Sequence, residues 1–194
     1  MRNIVQSFKI NAFICNFATA AAVAGTLGFA ASAHAQQSFT ATVDGKAWES
    51  DNDGINVIPV STGGSVTITA VSKGFSAYPP PKGFADQFSI VCPLPKKPER
   101  FIATRNQSNG CRVSFTKATR HIMSPDYATT KHEGEFENMG GSGDKNYVNF
   151  TTVSGKTIEG EFAAELVEAT TKKKIAVSGK FRGLDKQIGS KGFN

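Results

Sequence analysis

Apolar and polar residues alternate with a period of two along most of the chain beyond residue 36, the pattern of strands with one buried face. Phe39, Ala41 and Val43 alternate with Thr40 and Thr42, and Asp44-Gly45 follows. Both of those residue types accept the positive φ that a two-residue hairpin turn requires. Such a turn sets Val43 opposite Lys46 and Ala41 opposite Trp48, and brings Trp48 onto the face of Phe39. Ile55 to Val60 is a second strand, and Pro59, which has no N–H to give a ladder, marks it as an edge or a bulge. Val66, Ile68 and Ala70 alternate with Thr67 and Thr69. Phe88, Ile90 and Cys92 share one face of a later strand, and Cys111, Val113 and Phe115 share one face of another. Between them, Gly74 to Phe84 contains Pro79-Pro80-Pro81 and reads as an extended loop. Thr116 to Lys131 has no clear period and reads as a short helix or an irregular loop. Gly134-Glu135-Phe136 reads as a strand, and Gly140 to Lys145 as a turn.

The last third predicts a hairpin in a definite register. Ile158, Gly160, Phe162, Ala164 and Leu166 lie on one face, as do Ile175, Val177, Gly179 and Phe181 after a polar turn near Thr170-Thr171. Pairing residues whose numbers sum to 341 sets Gly160 against Phe181 and Phe162 against Gly179, so each ring covers a bare glycine. The same register sets Glu161 against Lys180 and Glu159 against Arg182 on the wet face, where opposite charges attract. A slip of one residue would bury those charges. The small inward residues Ala41, Ala70, Gly160, Ala164 and Gly179 favour room inside the fold. These patterns predict an all-β domain, an antiparallel β-sandwich or a distorted, lipocalin-like barrel of about eight to ten strands.

Residues 1–35 differ in kind. Arg2 and Lys9 precede an Ala-rich apolar stretch from Phe13 to Ala31, and Ala33-His34-Ala35 is the small-x-small pattern of a cleavage site. The segment reads as a secretory signal peptide and predicts a periplasmic or secreted product. Cys15 has no lipobox before it, and no later segment is long and apolar enough to cross a membrane. The remaining 159 of the 194 residues suit one domain, residues 36–194. Cys92 and Cys111 are then an even pair in an exported chain, which predicts a disulfide. Closing that loop stabilises the fold by about 3 kcal/mol.

The net charge of the whole chain is +6. Lys96, Lys97, Arg100, Arg105, Arg112, Lys117 and Arg120 crowd into one stretch against Glu99 alone. Lys96, Lys97, Arg100 and Arg105 are the candidate contacts for an anionic partner: a surface polymer, a lipid phosphate or an acidic protein. Export argues against nucleic acid.

The opening Phe39-Thr40-Ala41-Thr42-Val43-Asp44-Gly45-Lys46-Ala47-Trp48 resembles the start of a family of small exported or lipid-anchored bacterial β-domains of unknown function, F-x-A-x-V-D-G-K-x-W. Ile158-Glu159-Gly160-Glu161-Phe162 and Gly179-Lys180-Phe181 resemble its later strands. The resemblance covers the two ends of the domain, and it implies fold and location and carries over no functional residue.

Catalytic chemistry has little support in the residues. His121, Ser124, Asp126, Tyr127 and His132 lie close in sequence, but no strained nucleophile motif accompanies them. His121 and His132 with Glu133 or Glu135 match no zinc spacing. Asp51-Asn52-Asp53-Gly54 opens like a calcium loop, yet Thr62 stands where an EF-hand needs Glu. The chain reads as a non-enzymatic binding module without a cofactor. A lipocalin-like carrier of a small apolar ligand is the alternative, and a hydrolase built on His121 or His132 comes third.

Overall fold

Ten strands account for most of the residues that the computed structural model describes, which are 36–74, 84–105, 110–120, 134–138 and 144–193. They are β1 (Ser38–Val43), β2 (Lys46–Val60), β3 (Ser65–Ser72), β4 (Phe84–Pro93), β5 (Glu99–Ile102), β6 (Arg112–Arg120), β7 (Gly134–Asn138), β8 (Tyr147–Ser154), β9 (Thr157–Glu168) and β10 (Lys174–Leu184). Eight of them close into an antiparallel barrel in the order β10-β1-β2-β3-β4-β6-β7-β9, with β9 returning to β10. Of the two architectures that the sequence leaves open, the structure takes the barrel. No helix among the described residues is long and apolar enough to cross a membrane.

The hairpins form as their turn chemistry dictates. Asp44 and Gly45 have φ of 49° and 76°, and Ala41 meets Trp48. The Asp44 carboxylate also accepts from the Ala176 N–H at 2.9 Å, tying the turn to β10. In the β9–β10 hairpin Gly160 pairs with Phe181 and Phe162 with Gly179. A Cβ on Gly179 would stand 2.8 Å from the Phe162 ring and 2.3 Å from the Thr40 carbonyl. Here glycine is required by close approach. On the outer face Arg182 reaches Glu159 at 3.3 Å and Lys174 reaches Glu165 at 2.9 Å.

The small inward residues leave less room than their size suggests. Phe88 lies 4.7 Å from Phe115, 5.4 Å from Phe39 and 5.7 Å from Phe162, ring centre to ring centre, and Trp48 stands edge-on to it at 4.8 Å. A second group joins Phe150 to Phe101 and Phe181. Rings therefore occupy the middle of the barrel, the usual filling of a small barrel. At one end Phe193 is buried, and its N–H donates to the Gly155 carbonyl at 2.8 Å, so the C-terminal tail packs into that end.

At two of the irregular places in the wall, buried amides take part. In β2, four residues from Asp51 to Gly54 bulge between Ser50, opposite Ser72, and Ile55, opposite Ala70. Gln37 is 3% exposed and fills the gap. Its amide donates to the Asn52 and Ile55 carbonyls and accepts from the Leu184 N–H. The second irregularity is a fork. One edge of β9 is held by β10; the other is shared by β8, along Thr157–Ala163, and β7, along Leu166–Glu168. Where the partner changes, the Asn146 side chain accepts from the Glu165 N–H at 2.9 Å. Opposite, Asn138 accepts from the Val113 N–H of β6 at 2.7 Å. The far prong, β8 then β5, rejoins β6 through Ala103 and Cys111.

Several expectations change. β6 runs on through Thr116 to Arg120, because Ala85 and Phe84 of β4 pair with Thr119 and Arg120 after a bulge. Ile55 to Val60 is the end of a long β2, and β1 covers only Lys46–Glu49, leaving Pro59 beyond its reach. Residues 1–35, most of the Pro79-Pro80-Pro81 loop and residues 121–133 lie outside the described residues, as do residues 140–143 of the turn expected at Gly140 to Lys145.

Gly179→Ala is expected to destabilise the protein by about 1–3 kcal/mol, the cost of overpacking a closed site. Gly63→Ala, whose methyl would meet only Val60 Cγ1 at 3.5 Å and Ser65 Oγ at 3.7 Å before a backbone atom at 4.0 Å, should stay near wild type in the same urea titration. Gln37→Met keeps the length of the side chain and strands two carbonyls and one N–H, so a loss of about 1–3 kcal/mol is expected by the same measurement.

Candidate functional site

Cys92 and Cys111 form a disulfide that links the end of β4 to the start of β6, two neighbours in the barrel. Both are buried beside Val66, Ile90 and Val113 in the core. The chain between them leaves the barrel ring as a strap. Leu94 donates to the Gly64 carbonyl at the β2–β3 turn, Lys96 to Pro98 bend away, β5 pairs with β8, and Ala103 returns beside Cys111.

Lys96, Lys97, Arg100 and Arg105 are all exposed and all lie on this strap. Their exposure follows from the alternation of β5, in which Phe101 packs toward the core and Arg100 and Ile102 point out. Arg100 lies 3.9 Å above the ring of Tyr147 on β8, a cation–π contact. Among the described residues, Lys96, Lys97 and Arg105 make no ion pair.

The rest of the basic stretch goes elsewhere. Arg112 is paired to Glu137 of β7 at 2.5 Å, and Lys117 stands at the far end of the barrel. A run of seven cations in sequence is thus divided by the fold, and four of them make up the strap. The cluster from His121 to Glu133 lies outside the described residues. Glu135 is exposed on β7. Asp51-Asn52-Asp53-Gly54 forms the β2 bulge, where the Asp51 carboxylate accepts from Gly74 N–H at 2.6 Å and the Asn52 side-chain oxygen from Gln37 N–H at 2.9 Å. Those oxygens tie the bulge to the backbone of Gly74 and Gln37.

One feature is not visible in the sequence. At the barrel end bounded by the Asp44-Gly45 turn and the β9–β10 turn lies a pocket of about 320 Å³. Trp48, Phe115, Phe136 and Ile175 line it, together with the polar side chains of Asp44, Lys46, Asp86, Lys117 and Lys173. These residues come from strands far apart in the chain, and only barrel closure gathers them. Nearby, Glu49 holds Lys73 at 2.6 Å, and its hydrogen bond and charge raise the lysine pKa.

Comparison with protein-family models, with curated proteins and with solved structures finds no match.

Proposed function

We propose that this chain is an exported, non-enzymatic binding module whose strap engages an anionic partner, foremost a phosphate-bearing surface polymer or lipid. The observation that carries the reading is the exposure of Lys96, Lys97, Arg100 and Arg105 on one segment held outside the barrel ring. Export rests on the signal-like residues 1–35 and is consistent with the disulfide. The resemblance of the opening and closing strands to small exported bacterial β-domains points the same way.

Magnitudes narrow the partner. A Lys or Arg near an anionic surface contributes about 1 kcal/mol, and the attraction fades within about 8 Å at physiological salt. Four such contacts correspond to a Kd on the order of 1 mM. A strap of this strength does little with a single free anion. It acts on an extended polyanion, where one molecule offers many charges and contacts form together.

Cosedimentation with vesicles tests the reading. Wild-type protein is expected to pellet with vesicles rich in phosphatidylglycerol or lipopolysaccharide at low salt and to release as salt rises. The triple variant Lys96→Gln, Lys97→Gln, Arg105→Gln should lose at least about tenfold in partition, with an unchanged Tm. Equal partition of the variant, or indifference of the wild type to both vesicles and to polygalacturonate, would remove the proposal.

A further inference from the structure

We propose that the pocket at the Asp44-Gly45 end of the barrel binds a small amphipathic carboxylate, its apolar body against Trp48, Phe115 and Phe136 and its charge between Lys46 and Lys173. The site is separate from the strap, which runs along the wall toward the end of the β2–β3 turn.

Three observations converge on that ligand class. The first is the asymmetry of the barrel ends. Phe193 is buried at the end of the Gly155 turn, whereas the opposite end holds a pocket of about 320 Å³. That volume lies at the lower limit for small-molecule sites. The second is the lining, in which aromatic and branched side chains from β2, β6, β7 and β10 provide apolar contact. The third is charge. Lys46 and Lys173 are exposed among its lining residues, and the Asp44 carboxylate that also lines it already accepts from the Ala176 N–H at 2.9 Å. The balance favours an anion, and one of low charge. A purely apolar ligand would satisfy the walls and neglect the lysines. A polyphosphate would suit the lysines and leave the aromatic walls bare.

Trp48 is the only tryptophan of the chain, so its indole signal in a proton–nitrogen NMR spectrum reports on the pocket alone. Cyclohexanecarboxylate and cyclohexanecarboxamide share a shape and differ in charge. Titration with the carboxylate is expected to move the indole signal to saturation, and the amide should bind about tenfold more weakly. In Lys46→Gln, Lys173→Gln, where both exposed side chains are replaced without touching the core, carboxylate affinity should fall about three- to tenfold while amide affinity stays the same. An unchanged indole position in the free variant shows that the pocket is intact. No movement of the indole signal with either compound up to its solubility limit would overturn the site. Equal affinity for the two compounds in wild-type protein would overturn its assignment to an anion. Vesicle binding by the strap is read separately, and neither result depends on the other.

Discussion

Closing a sheet on itself asks that the backbone donors and acceptors of its wall find partners, and in this barrel side chains supply some of them. Ladder hydrogen bonds suffice wherever strands run side by side in register. At the β2 bulge and at the fork on β9 they do not, and buried amides take their place. An amide suits the task because it offers donors and an acceptor with no net charge to bury. Gln37 joins three backbone groups from β2 and β10, while Asn138 and Asn146 stand on either side of the fork. The packed rings inside depend on that wall, since an opened seam would admit water to Phe88 and Phe162, both fully buried.

The elements legible in the sequence are those whose determinants are local. The Asp44-Gly45 turn needs only two residues with positive φ, and the β9–β10 register follows from two faces that agree. The Gly160–Phe181 and Gly179–Phe162 pairs occur where the alternation puts them, and so do Cys92 and Cys111, each aligned with its apolar neighbours. The elements that escaped depend on distant partners. Thr116 to Arg120 has no strand periodicity of its own and becomes strand because β4 lies beside it. The fork is invisible for the same reason: Asn138 and Asn146 look like ordinary loop-edge polar residues until β7 and β8 meet the same edge of β9.

The candidate sites divide along the same line. The strap is contiguous, so its four cations stand out as a charge anomaly, and the alternation around Phe101 already implies that Arg100 faces outward. Arg112 and Lys117 belong to the same anomaly in sequence and not in space. β6 carries one to Glu137 and the other to the rim of the pocket. The pocket itself draws on residues from Val43 to Ile175, which no window of sequence places together. Its aromatic residues read as core, and its lysines read as solvent-facing ends of strands.

The disulfide has a consequence for how the surface can diverge. Both roots of the strap are fixed covalently to neighbouring strands, so the barrel does not rely on the intervening residues to hold β4 beside β6. Phe101, packed on Phe150, and the fully buried Ala103 tie the strap to the core, whereas its exposed residues Lys96, Lys97, Pro98 and Arg105 carry little of the load of folding. The stretches that hold those exposed residues are free to drift in length and charge while the scaffold stays constant. Related chains would then keep the cysteines and the glycine–phenylalanine pairs and differ most between the two cysteines. The same property makes the strap a place to graft a foreign recognition sequence.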